Sequence, residues 1–452
     1  MINDTIAAIA TSSNEGAISI IRVSGPDSIK IANKIFKNKK LEEVPSHTIH
    51  YGHIFDEENQ QNIDEVLVMI MKGPKSFTAE NVVEINCHGG IFVTNKILEL
   101  LLTNGARIAE AGEFSKRAFL NGRIDLSRAE AIMDIIKAKN EQSLSLAINT
   151  LDGKVSKMIE NLRIDILNVI ANIEVNIDYP EYDDIENITN EILLSKSIDI
   201  LEKMKSILCD AKKGKILKNG IKTAIIGRPN VGKSSLLNKL MREEKAIVTN
   251  IAGTTRDIIE GNINIGGLTL NLIDTAGIRE TTDIIEKIGI KKSIELIKNA
   301  DLILLILNSN EPLTQKDKEL INLTNSKNRI IVLNKSDLPI NIELDKLDTY
   351  IKTSMIKDND INVLEKKIKE LFEIGNINSP DINFLSNSRH IAKLRQSIEA
   401  IEKSIENLKS NIPVDIVEID LKNSWYILGE ILGEEISDSL IDELFSKFCL
   451  GK

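Results

Sequence analysis

Apolar and polar positions along the chain change period three times. From Thr5 to Cys87 the pattern is short. The runs Thr5–Ala10, Ala17–Val23, Thr48–Phe55, Val66–Met71 and Val82–Cys87 are rich in aliphatic and β-branched residues, which predicts strands. Pro26 opens a helical pattern through Phe36, at a position where its missing N–H costs nothing. A second helix is expected from about Phe92 to Leu102, closed by Asn104-Gly105. Residues 1–118 therefore read as mixed α/β.

From about Phe119 to Lys215 the period becomes helical. Val155, Ile159, Leu162, Ile166, Val169 and Ile173 form one seam of a long helix, ended by Tyr179-Pro180. A further helix spans roughly Glu191 to Lys212, and the stretch from Lys213-Gly214 to Asn219-Gly220 reads as a linker. Strand patterns return at Thr223–Ile226, Leu268–Ile273 and Ile330–Leu333, and this α/β unit is expected to end near Leu371–Ile374. Helices then cover about Ser388–Lys409 and Asp415–Leu432. A last one has Ser437 as its N-cap and Leu440, Ile441, Leu444, Phe445 and Phe448 on one face. The expected layout is an N-terminal α/β domain (1–118), a helical domain (119–215 and 376–452) and a Rossmann-like α/β domain inserted between its halves (216–375). Two separate helical bundles would give the same pattern.

Composition narrows the class. A chain of 452 residues suggests about three domains. Cys87, Cys209 and Cys449 are far apart with no C-x-x-C pair, so neither a disulfide framework nor a zinc knuckle is indicated. No signal-peptide pattern opens the chain, and the longest strongly apolar run, Leu302–Leu307, is too short to span a bilayer, so a cytoplasmic setting without a membrane is expected. The net charge of −10 argues against a general nucleic-acid coat but not against a local patch. One run is basic: seven lysines lie between Lys203 and Lys222, either a solvated face or an RNA contact.

The chemistry centres on Gly227-Arg228-Pro229-Asn230-Val231-Gly232-Lys233-Ser234-Ser235, which fits G-x-x-x-x-G-K-[ST] between a strand and a helix. Such a loop turns backbone N–H groups and a helix N-terminus towards a polyphosphate. Lys233 is placed for the β- and γ-phosphates and Ser234 for Mg²⁺. Three more motifs follow in order: Thr254-Thr255, then Asp274-Thr275-Ala276-Gly277, then Asn334-Lys335-Ser336-Asp337. Asp274 suits Mg²⁺ through water and the Gly277 N–H suits the γ-phosphate. The Asp337 carboxylate can accept two hydrogen bonds from guanine N1–H and its 2-amino group, which adenine cannot offer. The expected ligand is GTP.

Hydrolysis needs a further device. The residue after Asp274-Thr275-Ala276-Gly277 is Ile278, which cannot orient water as Gln does in Ras-like switches. Asn230 either stabilises the loop turn or, with carbonyls from Thr249 to Thr254, cages a monovalent cation where an arginine finger would act. Arg256, Arg279 and Glu286 are charge candidates nearby.

The chain resembles the MnmE (TrmE) family of tRNA-modifying GTPases, among the Era/TrmE-like P-loop GTPases. The resemblance rests on Asp4-Thr5-Ile6-Ala7-Ala8-Ile9-Ala10-Thr11, Ile20-Ile21-Arg22-Val23-Ser24-Gly25-Pro26, Ser76-Phe77-Thr78 with His88-Gly89-Gly90, and the run from Gly112 to Leu126. It also rests on Ile251-Ala252-Gly253-Thr254-Thr255-Arg256-Asp257 and the terminal Cys449-Leu450-Gly451-Lys452. It implies an N-terminal folate-binding domain that also forms the homodimer, a helical domain and a Ras-like GTPase domain. With a flavin-dependent MnmG-type partner, in a heterotetramer, such a protein adds an aminomethyl or carboxymethylaminomethyl group at C5 of the wobble uridine of certain tRNAs. The one-carbon unit comes from a tetrahydrofolate, in the 5-formyl or methylene form. Potassium promotes hydrolysis by pairing two GTPase domains.

The resemblance also assigns positions. Arg22, Glu84, Arg123 and Lys452 match the folate site. Asn230, Thr249, Ile251 and Thr254 match the potassium ligands, and Ser234 and Thr255 the magnesium ligands. Glu286 matches the residue that positions the attacking water. Cys449 matches the tail cysteine, though an idle thiol is the other reading. The GTP contacts would be Asn230 to Ser235, that is Asn230, Val231, Gly232, Lys233, Ser234 and Ser235, then Thr249, Asn250, Ile251, Ala252, Gly253, Thr254 and Thr255. Asp274, Thr275, Ala276 and Gly277 follow, then Asn334, Lys335 and Asp337. The last motif, Ser354-Met355-Ile356, departs from the usual Ser-Ala-Lys or Ser-Ala-Arg. A potassium-dependent GTPase acting in ribosome assembly is the competing expectation.

Overall fold

The computed structural model describes residues 4–12, 14–178, 190–242, 261–273, 296–347, 349–354, 360–374 and 384–451. The chain forms two compact units: Met1–Met133 with Ser156–Arg163 and Trp425–Lys452, and Asp134–Val155 with Ile164–Ser424.

The first unit is built on a seven-stranded sheet. Its strands are β1 (Ile6–Ile9), β2 (Ile18–Ser24), β3 (Phe36–Lys37), β4 (Thr48–Asp56), β5 (Gln61–Met71), β6 (Val82–His88) and β7 (Arg107–Ile108), in the order β3-β4-β5-β6-β2-β1-β7. All pairs are antiparallel except β1 with β7. Alternate residues of β2, β5 and β6 (Ile21, Val23, Val66, Val68, Ile70, Val83, Ile85) point to one face. The helices Ser28–Ile35 and Ile91–Thr103 cover that face with Ile31, Ile35, Ile97 and Leu101. The opposite face keeps Ile49, Tyr51 and Leu67 exposed. The strands expected from sequence are present. β5 starts at Gln61, before its apolar pattern, because Gln61 to Glu65 pair with His53 to Asp56 of β4 although most of them are polar. The first helix begins at Ser28, two residues past Pro26, which sits in a turn. The helix Glu113–Leu120 starts before the expected change to a helical period at Phe119. Farther on, the helix Asp438–Ser446 lays Ile441 and Phe445 against Ala118 and Leu126. Ser437 occupies its N-cap position, but its hydroxyl makes no cap bond and meets Ser439 Oγ instead at 3.1 Å.

The second unit contains a six-stranded sheet. Its strands are β8 (Ile221–Ile226), β9 (Gly261–Ile265), β10 (Leu268–Leu272), β11 (Leu302–Asn308), β12 (Arg329–Asn334) and β13 (Tyr350–Lys352), in the order β13-β12-β11-β8-β10-β9. All pairs are parallel except β9 with β10. Every residue of β11 is buried, as expected for a central parallel strand covered on both faces. Leu236, Leu237, Leu240, Leu364 and Ile368 cover one face, and Ile297 with partly buried Leu320 covers the other.

The helices on either side of this sheet pack on one another. The helix Asn190–Asn219 lies along the helix Ser388–Lys409, where Lys205 Nζ is 2.7 Å from Glu402 Oε1. Helices from before and after the nucleotide-type sheet thus pack on each other within the second unit. The expected linker at 213–220 does not exist as such, because the helix continues to Asn219. Gly214 sits inside it for packing reasons: a Cβ there would lie 2.7 Å from the Leu385 carbonyl oxygen and 2.7 Å from Phe384 Cβ. No helix among the described residues is long and apolar enough to cross a membrane.

Candidate functional site

The phosphate-type loop leaves the carboxyl end of β8, where open parallel sheets place their ligands. Its backbone needs two unusual residues. Gly232 has φ +106°, and a Cβ on it would fall 1.9 Å from Asn334 Nδ2. Asn230 has φ +62°, a left-handed conformation that Asn tolerates better than most residues, and it is exposed. Val231 packs inward, and its carbonyl accepts a 2.8 Å bond from the buried Asn334 Nδ2. The first residue of the guanine-type motif thus ties β12 to the phosphate loop. Asn334 Oδ1 in turn accepts from the Lys335 N–H at 2.8 Å. The Ser336 N–H donates to the Thr353 carbonyl at 3.1 Å, joining this motif to the segment of buried Ser354. Asp337 is exposed at the rim, free of packing that would prevent it meeting a base.

The helix Lys233–Arg242 starts at the lysine itself. Lys233 Nζ donates to the carbonyls of Gly227 (2.8 Å) and Arg228 (2.7 Å). Burial holds its ammonium below the ordinary lysine range. A half-buried cation at the start of a helix, held by two loop carbonyls, is suited to a polyphosphate. Arg228 turns away from this anion position. Its Nε meets Asp317 at 2.8 Å and its guanidinium meets Glu311 at 3.1 Å. Asp317 also closes the capping box of the helix Gln315–Leu323 with Thr314. Arg228 therefore braces the loop and does not serve as a catalytic finger.

A second constellation lies in the first unit. Arg22 on β2 and Glu84 on β6 are direct partners in the antiparallel register, and Arg22 Nε donates to Glu84 Oε1 at 2.7 Å. The Arg22 guanidinium lies over the rings of Phe77 (5.5 Å) and Phe114 (5.6 Å), and it donates to the Gly451 carbonyl at 3.1 Å. Arg123, exposed, also lies over Phe77 at 5.2 Å. Gly451 fits here because it lacks a side chain: its φ is +81°, and a Cβ would lie 2.5 Å from the Ile9 carbonyl oxygen. The Gly112 N–H reaches the Cys449 carbonyl at 3.3 Å, and Cys449 itself is exposed. The corner offers a carboxylate, two guanidinium cations and aromatic faces. That set suits a pterin carrying an acidic tail, with Glu84 for the aminopyrimidine edge and the cations for carboxylates.

Known proteins match the chain along nearly its whole length. Residues 5–123 match the profile described as the GTP-binding protein TrmE N-terminus, and residues 126–449 match the MnmE helical domain. A protein named tRNA modification GTPase MnmE from Ligilactobacillus salivarius is 54% identical over 455 residues, spanning 99% of this chain and 98% of its own. One of the same name from Bacillus thuringiensis is 54% identical and spans 99% of both chains. The chain belongs to the MnmE family. Among solved structures, the G domain of the T. maritima FeoB iron transporter is 28% identical, covers 33% of this chain and 98% of its own, and has a TM-score of 0.24.

Of the residues expected from sequence, the structure gathers Asn230–Ser235 with Asn334 at one corner, and Arg22, Glu84 and Arg123 at the other. Thr249–Thr255, Asp274–Gly277, Glu286, Arg256, Arg279, Met355, Ile356 and Lys452 lie outside the described residues. No cluster of His, Cys, Asp or Glu among the described residues could hold a metal ion. The sequence alone gives no role to Phe77, Phe114 or Arg228, whose ring and ion partners lie 46 or more residues away.

Proposed function

We propose that this chain is a GTP-hydrolysing tRNA-modification enzyme. With a flavin-dependent MnmG-type partner it adds a carboxymethylaminomethyl or aminomethyl group at C5 of the wobble uridine of certain tRNAs. The observation that carries the reading is the presence on one chain of a GTP-type loop tied to Asn334 and of a guanidinium–carboxylate–aromatic corner at Arg22, Glu84 and Phe77. A simple switch would need the first and not the second. Family membership, and relatives named for tRNA modification along their whole length, support it.

In this reading Lys233 and the loop N–H groups bind the β- and γ-phosphates. Ser234 and Thr255 ligate Mg²⁺, and Asp274 holds the ion through water. Asp337 reads guanine, with Ser354, Met355 and Ile356 flanking the base. The exposed left-handed Asn230 presents its side chain beside the loop, which supports the potassium role shared with Thr249, Ile251 and Thr254. Glu286 positions the attacking water. A tetrahydrofolate held by Arg22, Glu84, Arg123 and Lys452 supplies the one-carbon unit, with Cys449 of the tail close by in sequence. The exposed Ile49, Tyr51 and Leu67 support a homodimer through the first sheet. The domain layout proposed keeps the order 1–118, 119–215, 216–375 and 376–452 in a cytoplasmic protein, with the boundary at 215 moved to the end of the helix at Asn219. The helical-domain profile matches residues 126–449, a range that spans the second sheet and the helices before and after it.

The test is nucleoside mass spectrometry of tRNA from cells lacking this chain, with and without its restoration. The C5-modified wobble uridines should vanish and return. Their persistence in the deleted cells would sink the modification reading and leave a GTPase whose ribosome association should be measured.

A further inference from the structure

A chain with net charge −10 must meet a polyanion locally, if at all. In the second unit an open cavity of about 210 Å³ lies among the helices Leu126–Lys137, Glu141–Leu151 and Asn190–Asn219, lined in part by Lys137, Lys139, Lys218, Ser143 and Asn219. Its lining carries one acid, Asp134, whose Oδ2 is 2.6 Å from Lys218 Nζ. Three lysines against one carboxylate leave a local charge of +2. Lys137 and Lys139 are exposed, and neither has an ion-pair partner among the described residues. The contrast within the molecule is sharp. A cavity of about 270 Å³ in the first unit is lined by Glu110, Glu113 and Asp442 with only Lys116 among its cations, and so offers no unpaired cation to a polyanion.

We infer that the Lys137–Lys139–Lys218 cavity is a docking site for the phosphodiester backbone of the RNA substrate, which rests on the tRNA reading above. The chemistry selects backbone over base. No aromatic side chain lines the cavity, so it offers no stacking platform. Its two unpaired cations are mobile ammonium groups on an open rim, suited to an extended polyanion that releases counterions on binding, not to one small enclosed anion. Lys218 also belongs to the basic run seen in the sequence, and the fold brings it to Lys137 and Lys139 from more than 75 residues away.

The wall of this cavity is also a joint. The Lys139 carbonyl accepts from Asn264 Nδ2 at 3.0 Å, and Asn140 Nδ2 donates to Thr269 Oγ1 at 2.7 Å. Asn264 and Thr269 lie on the β9–β10 hairpin, the piece of chain that joins the Thr254-Thr255 loop to the Asp274 motif. An RNA phosphate at Lys139 therefore acts on the loop that grips the hairpin between the two nucleotide motifs.

The experiment is equilibrium binding of bulk tRNA to the full-length protein over a KCl series. The variant is Lys137→Gln with Lys139→Gln. The control is Lys203→Gln with Lys205→Gln, which removes the same charge from lysines already paired with Asp165 and Glu402. The cavity variant should bind on the order of tenfold more weakly, with a salt slope lower by about 1.4 to 1.8 for two lost phosphate contacts. Lys137→Arg with Lys139→Arg should restore both affinity and slope, which a folding defect would not. Equal losses in cavity and control variants, or no loss in the cavity variant, would overturn the site while leaving the modification reading intact. If the unaltered protein binds no tRNA at all, the tRNA reading itself falls.

Discussion

The nucleotide corner and the Arg22 corner each bring cations to a prospective anion, but they are assembled differently. Gly227 to Ser235 lie on one unbroken stretch, and most of that corner's geometry is local: a left-handed Asn230, a close-packed Gly232 and a lysine at the start of a helix. At the Arg22 corner, Arg22, Phe77, Glu84, Phe114, Arg123 and Gly451 come from separate segments, joined by strand register, ring stacking and a terminal carbonyl. A local site survives changes elsewhere in the fold. A site gathered from distant segments depends on each of them, so one remote residue can dismantle it.

The largest expected effect is at the nucleotide corner. Asp337→Asn should move preference from guanine to xanthine nucleotides. Two hydrogen bonds to a charged acceptor, each about 1.5–3 kcal/mol, correspond to at least about a hundredfold in selectivity. Competition of GTP and XTP for a fluorescent nucleotide measures it. Retained guanine selectivity would mean that the base pocket is elsewhere.

A smaller effect is expected from Gly451→Ala at the gathered corner. The new Cβ would press on the Ile9 carbonyl at 2.5 Å and Ala10 Cα at 2.8 Å, with φ at +81°. A left-handed non-glycine residue alone costs roughly 1–2 kcal/mol, so folate affinity should fall by about tenfold. Calorimetry with 5-formyltetrahydrofolate reads the affinity. Faster hydrogen exchange at the Gly112 amide, which donates to the Cys449 carbonyl, shows that the tail has lifted. Affinity for GTP falling in step would contradict the separate assembly of the two corners.

The same contrast explains what could be read from the chain alone. The phosphate loop, its strand and its helix were legible because period and motif are contiguous. The Arg22–Glu84 pair was reachable only through family resemblance, since a register of seven paired positions between β2 and β6 has no local signature. Gly214 misled for a physical reason: glycine usually interrupts a helix, yet here the helix needs its missing Cβ to pass Phe384 and Leu385. Ser437 has the right chemistry for a cap, but the Ser439 hydroxyl competes for its side chain. Arg117, fully buried between Asp4, Glu80 and Glu113, stands in a run rich in polar residues that gives no hint of burial.

That buried arginine supports the finest test of the contrast. Glu113 accepts from Arg107 (2.6 Å), from Arg117 (3.0 Å) and from the Glu110 N–H (2.8 Å). Burial pushes its carboxyl up, but the Arg107 bond, the Glu110 N–H and Arg117 together outweigh it, and the net shift is below the ordinary value of 4.5. A carboxylate depressed in the folded state stabilises it above the unfolded pKa and loses that contribution as pH falls through the folded one. The single tryptophan, Trp425, lies in the first unit under the Arg163 guanidinium at 4.0 Å, so its fluorescence during urea unfolding reports on that unit. Glu113→Gln should lower the urea midpoint at pH 7, and the gap from the unaltered protein should close as pH drops below about 4.5. A gap that stays constant with pH would assign the role of Glu113 to shape and not to charge. The ion network would then be removed from what holds the first unit, and with it the Arg22 corner, together.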